Sequence, residues 1–125
     1  MTLPAQPAHP LSATIAEELA GWSQVTVDIK WQTNLVFSIA NKMFAVISLD
    51  ETPFEHISFK AGSERFLELT DNDGIIPAPY MARNHWVTVT NPKALSKKAL
   101  LELLRSSHDQ VVAKLPKKIQ LQLRA

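Results

Sequence analysis

The segment from Pro77 to Trp86, Pro-Ala-Pro-Tyr-Met-Ala-Arg-Asn-His-Trp, gathers the residue types best suited to chemistry at a surface. Pro77 and Pro79 stiffen the backbone, and Tyr80, Arg83, Asn84, His85 and Trp86 follow within seven residues. Aromatic rings stack on bases, while guanidinium and imidazole groups contact phosphates. The same residues also have structural uses. Trp86 can begin a core strand, and Tyr80 can fill its rim with the hydroxyl hydrogen-bonded. Composition favours the core role for Trp86 and leaves Arg83 and His85 open to phosphate.

Other chemistries lack their residue patterns. His9, His56, His85 and His108 are far apart, with no pair at the i, i+4 spacing of a helical metal site and no His-Glu-x-x-His. The chain has no cysteine, which excludes disulfides, thiolate metal sites and cysteine nucleophiles together. Glycine stands only at 21, 62 and 74, so no phosphate loop, dinucleotide fingerprint or Gly-x-Ser-x-Gly elbow exists. Asp71-Asn72-Asp73-Gly74 begins like a calcium loop but lacks the closing glutamate. Asp50, Glu51 and Glu55 read as solvated loop carboxylates. A non-enzymatic protein without cofactor or metal is expected.

Charge supplies a second lead. Residues 1–82 carry four basic and ten acidic groups, a net of −6, whereas residues 83–125 carry nine basic and two acidic, a net of +7. Such asymmetry points to a polyanion or an acidic partner, although a basic helix surface can also be simply solvated.

These groups must be positioned by a single domain, because 125 residues is close to the usual domain size. No apolar run approaches the roughly 18 residues of a membrane span. Residues 1–10 lack the basic cluster and apolar core of a secretory signal, and Pro4, Pro7 and Pro10 suggest a flexible arm. A cytoplasmic protein is expected. Ser12 can cap a first helix from about Ala13 to Ala20, stopped by Gly21. Val25, Val27, Ile29 and Trp31 alternate with polar residues as in a half-buried strand. Leu35–Ala40 and Met43–Leu49 read as a hairpin turned at Asn41-Lys42, since asparagine tolerates positive φ. Ile57–Lys60 is a short strand, and Ser63 can cap a helix carrying Phe66, Leu67 and Leu69. Ile75–Tyr80 is extended, and Trp86–Thr90 is a strong strand. A long helix from Lys97 to Leu115, capped by Ser96 and ended by Pro116, buries Leu100, Leu103, Leu104, Val111 and Leu115. Residues 119–125 form an unassigned tail. The fold class is α+β, with helices packed on an antiparallel sheet.

Phe37–Ala45, Ile57–Lys60, the run Gly74–Tyr80 through His85-Trp86-Val87, and Leu95–Lys118 together resemble the YjbR/MmcQ family of bacterial proteins. The likeness spans residues 12–118, and its proline, tyrosine and His-Trp block is the most specific part. It implies an α-β(3)-α-β(2)-α domain over residues 11–118, related in shape to type III secretion chaperones. Members of the family are named DNA-binding or double-wing proteins. This chain departs in having Asn41 where the turn usually carries glycine, and Trp31-Gln32-Thr33-Asn34 ahead of the second strand.

The leading expectation is therefore a DNA-binding domain. Its phosphate contacts would come from a basic C-terminal helix (Lys93, Lys97, Lys98, Arg105, Lys114, Lys117, Lys118), extended by Lys42, Arg83 and His85. The rival of another class is a protein-interaction module, which an exposed apolar patch on the sheet would favour.

Overall fold

The computed structural model describes residues 3–124. Six strands form one antiparallel sheet in the order β1-β2-β3-β4-β6-β5, comprising β1 (Val25–Lys30), β2 (Asn34–Ile39), β3 (Lys42–Ser48), β4 (His56–Lys60), β5 (Ile75–Pro77) and β6 (Trp86–Val89). The helices are α1 (Pro10–Ala20), α2 (Phe66–Thr70), α3 (Lys97–Ala113) and α4 (Lys117–Arg124), with a 3-10 turn over Ala82–Asn84. This is the α+β class expected. Four strands precede α2 where the family likeness implied three, because the short β4 lies inside the sheet between β3 and β6.

Strand alternation divides the sheet into two faces. Leu35, Phe37, Ala45, Ile47, Ile57, Phe59, Val87 and Val89 point to the side packed by helices, where Ile15, Leu19, Leu100 and Leu104 complete the core. The helix α3 crosses β3 and β4, α1 lies by β1, and α2 covers β5 and β6. Registers align Val36, Val46, Ser58, Thr88 and Ile76 in a row across the opposite face. Among the described residues, no α-helix residue joins the cluster packed on Val36 and Val46 there. Ala78 and Met81 fold over one part of that face, packing with Val36, Val46 and Trp86.

Several local expectations are corrected. The cap of α1 is His9, whose Nδ1 accepts from the Leu11 N–H at 3.1 Å, with Pro10 opening the helix. Ser12 is buried instead and donates to the Glu55 carbonyl at 2.9 Å. Glu55 is not a solvated loop carboxylate, since it is buried and accepts the N–H groups of Ala8 at 2.8 Å and His9 at 3.0 Å. In the expected N-terminal arm Leu3 is buried in the core, while Met1 and Thr2 lie outside the described residues. The β2–β3 turn is Ala40-Asn41, at φ 50° and 66°, with Ile39 opposite Lys42, so Lys42 begins β3. Ser63 lies in a turn and does not cap α2, which starts at Phe66 after Arg65. Residues 119–124 of the tail continue the helix α4, anchored where Gln120 Nε2 donates to the Leu115 carbonyl at 2.7 Å, and Ala125 lies outside the described residues. Among the described residues no helix is long and apolar enough to cross a membrane.

Candidate nucleic-acid interface

At one end of the sheet, β4, the 3-10 turn and the end of α3 converge. The Lys60 N–H donates to Ser107 Oγ at 3.0 Å, and that hydroxyl donates to the Phe44 carbonyl at 2.7 Å. One buried serine therefore fastens α3 to the ends of two strands. Gln110 adds long contacts of 3.4 Å from its Nε2 to the carbonyls of Lys60 and Ala61. Gly62 lets the backbone pass beneath α3, with φ +88°, and a Cβ there would stand 2.9 Å from Gln110 Oε1. Lys114, the C-cap of α3, is thereby carried over Lys60.

The facing wall comes from the motif segment. His85 closes the 3-10 turn in the left-handed region at φ 62°, its N–H donating to the Ala82 carbonyl at 2.9 Å. Its ring meets Phe66 edge to face at 5.6 Å. Ala61 N–H donates to the His85 carbonyl at 2.9 Å, which ties this turn to the end of β4. The result is a groove of about 570 Å³ lined by Lys60, Arg83, His85 and Lys114, with Asn84 and Gln110 between them. No Asp or Glu is among the described residues that line it. Partial burial, with the Lys114 ammonium beside it, lowers the Lys60 pKa from the usual lysine value. Like charges held together this way favour an anion between them.

The other expected basic residues do not join this groove. At about 100° per residue, Lys98, Glu102, Arg105 and Asp109 share one stripe of α3, which is charge-balanced rather than basic. Arg105 is engaged there, with Nε 3.5 Å from Asp109 and its guanidinium 5.0 Å over the Trp22 ring. Lys114 lies roughly 160° around the helix from Lys98. Lys93 and Lys97 are exposed at the opposite end of α3, while Lys117 and Lys118 are exposed in the first turn of α4. Lys42 faces a separate shallow cleft beside Pro116 and Ile119. Of the ten residues expected, the structure brings Arg83, His85 and Lys114 together. It adds Lys60, which strand alternation had treated as an ordinary polar position. The signal available for Lys60 was its place at a strand end, two residues before a glycine.

Tyr80 and Trp86 part company. Trp86 is 6% exposed and packs on Val36 and Val46, whereas Tyr80 is fully exposed with φ 65°. The tyrosine does not fill a rim. It borders a second cavity, of about 710 Å³, on the sheet face opposite the core, shared with Trp31, Met43, Ile76 and Met81.

An antiparallel sheet with helices on one face, and a proline-stiffened loop between a basic groove and an apolar cavity, defines a small α+β domain. The sequence profile of the YjbR family matches residues 20–110, and the chain belongs to that family. The match includes Lys60, Arg83 and His85 and stops short of Lys114. The fold is similar to that of a Deinococcus radiodurans protein with the domain DUF419, 24% identical, with a TM-score of 0.78 and coverage of 98% of this chain and 91% of that one. A Pseudomonas syringae protein is 22% identical with a TM-score of 0.64, over 78% of this chain and 95% of its own. No curated protein matches the chain.

Proposed function

We propose that this protein is a non-enzymatic nucleic-acid-binding domain that takes phosphate groups at the groove between the end of α3 and the motif loop. The observation that carries the reading is the convergence of Lys60, Arg83, His85 and Lys114 from separate elements on one cleft lined by no described carboxylate. Arginine and lysine at such a cleft neutralise phosphates and release counterions, so affinity falls with salt. The acidic segment over residues 1–82 does not oppose this reading at the groove, because Lys60 is the charged residue it contributes to the described lining.

The test is fluorescence anisotropy of labelled oligonucleotides, both duplex and single-stranded, at several salt concentrations. Micromolar binding with a log–log salt slope of about −2 to −4 fits contacts from these few groups. The double variant R83E/K114E should weaken it by at least about tenfold, the loss of two charge-assisted contacts. No binding at low salt would remove the reading. A protein-interaction module is the second reading, and its supporting observation is the apolar cavity on the sheet face opposite the core, with Trp31 and Tyr80 exposed at its margins.

A further inference from the structure

Resting on the nucleic-acid reading above, we infer that the ligand is a single strand, its phosphates at the basic groove and its bases laid on the open sheet face between Tyr80 and Trp31. The first support is connectivity. Pro79, Tyr80 and Met81 wall the apolar cavity, and Arg83, Asn84 and His85 wall the basic groove. Tyr80 and Arg83 are three residues apart, at most about 11 Å of chain. One loop therefore presents an aromatic ring and a phosphate-binding group to neighbouring nucleotides.

The second support is how the aromatics are held. Tyr80 is fully exposed and Trp31 is 63% exposed, so neither ring is used up in the core. Both stand in the left-handed backbone region, at φ 65° and 51°, which is costly for a bulky side chain. Between them the cavity presents Val46 and Met43 beside Ser58 and Thr88, whose hydroxyls bond each other at 2.8 Å, with Asn34, Ser48, Glu51 and His56 also in its lining. Apolar contact bordered by polar groups suits the faces and edges of bases.

Charge then sets the orientation. Glu51 lines the cavity and lies 3.9 Å from His56, whereas Asp28 and Lys30 are exposed on the same face of β1 and offset each other. The Glu51 carboxylate repels phosphate from the cavity, while Arg83 and Lys114 lie beyond the loop. A strand crossing the loop thus meets cations with its backbone and the aromatic cavity with its bases. A duplex keeps its base faces stacked internally and has nothing to place on Tyr80. An apolar peptide would fit the cavity but would leave the adjoining basic groove unused.

The experiment compares a single-stranded oligonucleotide of about 16 nucleotides with its duplex, by anisotropy at matched salt. The proteins are the full chain, Tyr80→Ala, Trp31→Ala and the R83E/K114E double variant, each checked for folding by circular dichroism. Because both aromatic side chains are exposed, their alanine variants are expected to fold. The expected result is tighter binding of the single strand, weakened roughly 5- to 150-fold by either alanine substitution. The charge reversal should weaken both ligands. Equal affinity for strand and duplex, with both alanine variants silent, overturns the single-strand assignment and leaves phosphate binding at the groove intact. Absence of binding to either ligand overturns both.

Discussion

Lys60 and Lys114 reach one groove from different elements, the last residue of β4 and the C-cap of α3. Burial, reinforced by that like-charged neighbour, lowers the Lys60 pKa. A lysine whose folded pKa lies below its unfolded value makes the folded state release its proton first. Stability therefore rises with pH across the window from the lowered value up to the ordinary one of 10.5. At neutral pH the charged pair costs stability. Lys60→Met is expected to raise stability by up to about 1 kcal/mol after solvent screening, read as a higher thermal midpoint. Inorganic phosphate should stabilise the parent protein more than this variant, as thermal melts with and without phosphate would show.

Glu55 behaves in the opposite sense. Its burial favours the protonated form, but N–H donation from His9 and Ala8 outweighs that and lowers its pKa. The stability it contributes is complete above its unfolded pKa and is lost as pH falls through the lower folded value. Glu55→Gln should cost about 1–3 kcal/mol at neutral pH. It should also flatten the acid limb of stability measured by urea unfolding across pH.

Ser107 offers a test of how the groove is built. Its hydroxyl serves the Lys60 N–H and the Phe44 carbonyl and is fully buried. Ser107→Ala leaves two buried backbone groups without that partner, an expected loss of about 1–3 kcal/mol. If the groove binds phosphate, the loosened α3 should also reduce oligonucleotide affinity at temperatures where the variant remains folded.

Gly74 is required by both conformation and space. It has φ +89°, and an added Cβ would stand 2.6 Å from Asn91 Cβ and 3.2 Å from Ala94 Cβ, neither of which can swing aside. Gly74→Ala is expected to destabilise by at least about 1 kcal/mol. Gly62→Ala should cost less in packing, since the atom it meets is the flexible end of Gln110. Denaturant midpoints of the two variants, compared at equal m-value, would check the ranking.

The charge-balanced stripe of α3 makes a contrasting prediction. Reversal of Lys97 and Lys98 to glutamate should change oligonucleotide affinity by less than about threefold, a distant and screened effect. That is well below the loss expected of R83E/K114E. Equal losses would return the interface to the length of the helix.

Much of the architecture was legible because periodicity is local. Val25, Val27, Ile29 and Trp31 alternate, and the predicted strands fall within a residue or so of β1, β2, β3, β4 and β6, although Ile29 is exposed and Trp31 leaves β1 at φ 51° and is exposed too. Ser96 caps α3 through a 3.1 Å bond from the Ala99 N–H, and the apolar spacing of Leu100, Leu103 and Leu104 does put them in the core. The motif segment stood out by composition, and it borders both cavities. The misjudged positions depend on distant partners. Glu55 reads as solvated until Ala8 and His9 fold over it, and residues 119–124 give too weak a pattern to show that they continue a helix.

By itself, then, the order of residues determined the α+β class, the strand faces, the long capped helix and the candidacy of Arg83 and His85. Those follow from spacing and local backbone preference. The tertiary structure alone decided that Lys114 joins them, that Lys60 belongs with them, and that Lys98 and Arg105 point elsewhere beside carboxylates. It also decided that Tyr80 is exposed instead of filling the rim beside Trp86, whose core role composition had favoured. The physical reason is that a groove is made by strand register and by the angle at which a helix crosses a sheet. Both are set by long-range packing, which no short window of sequence contains.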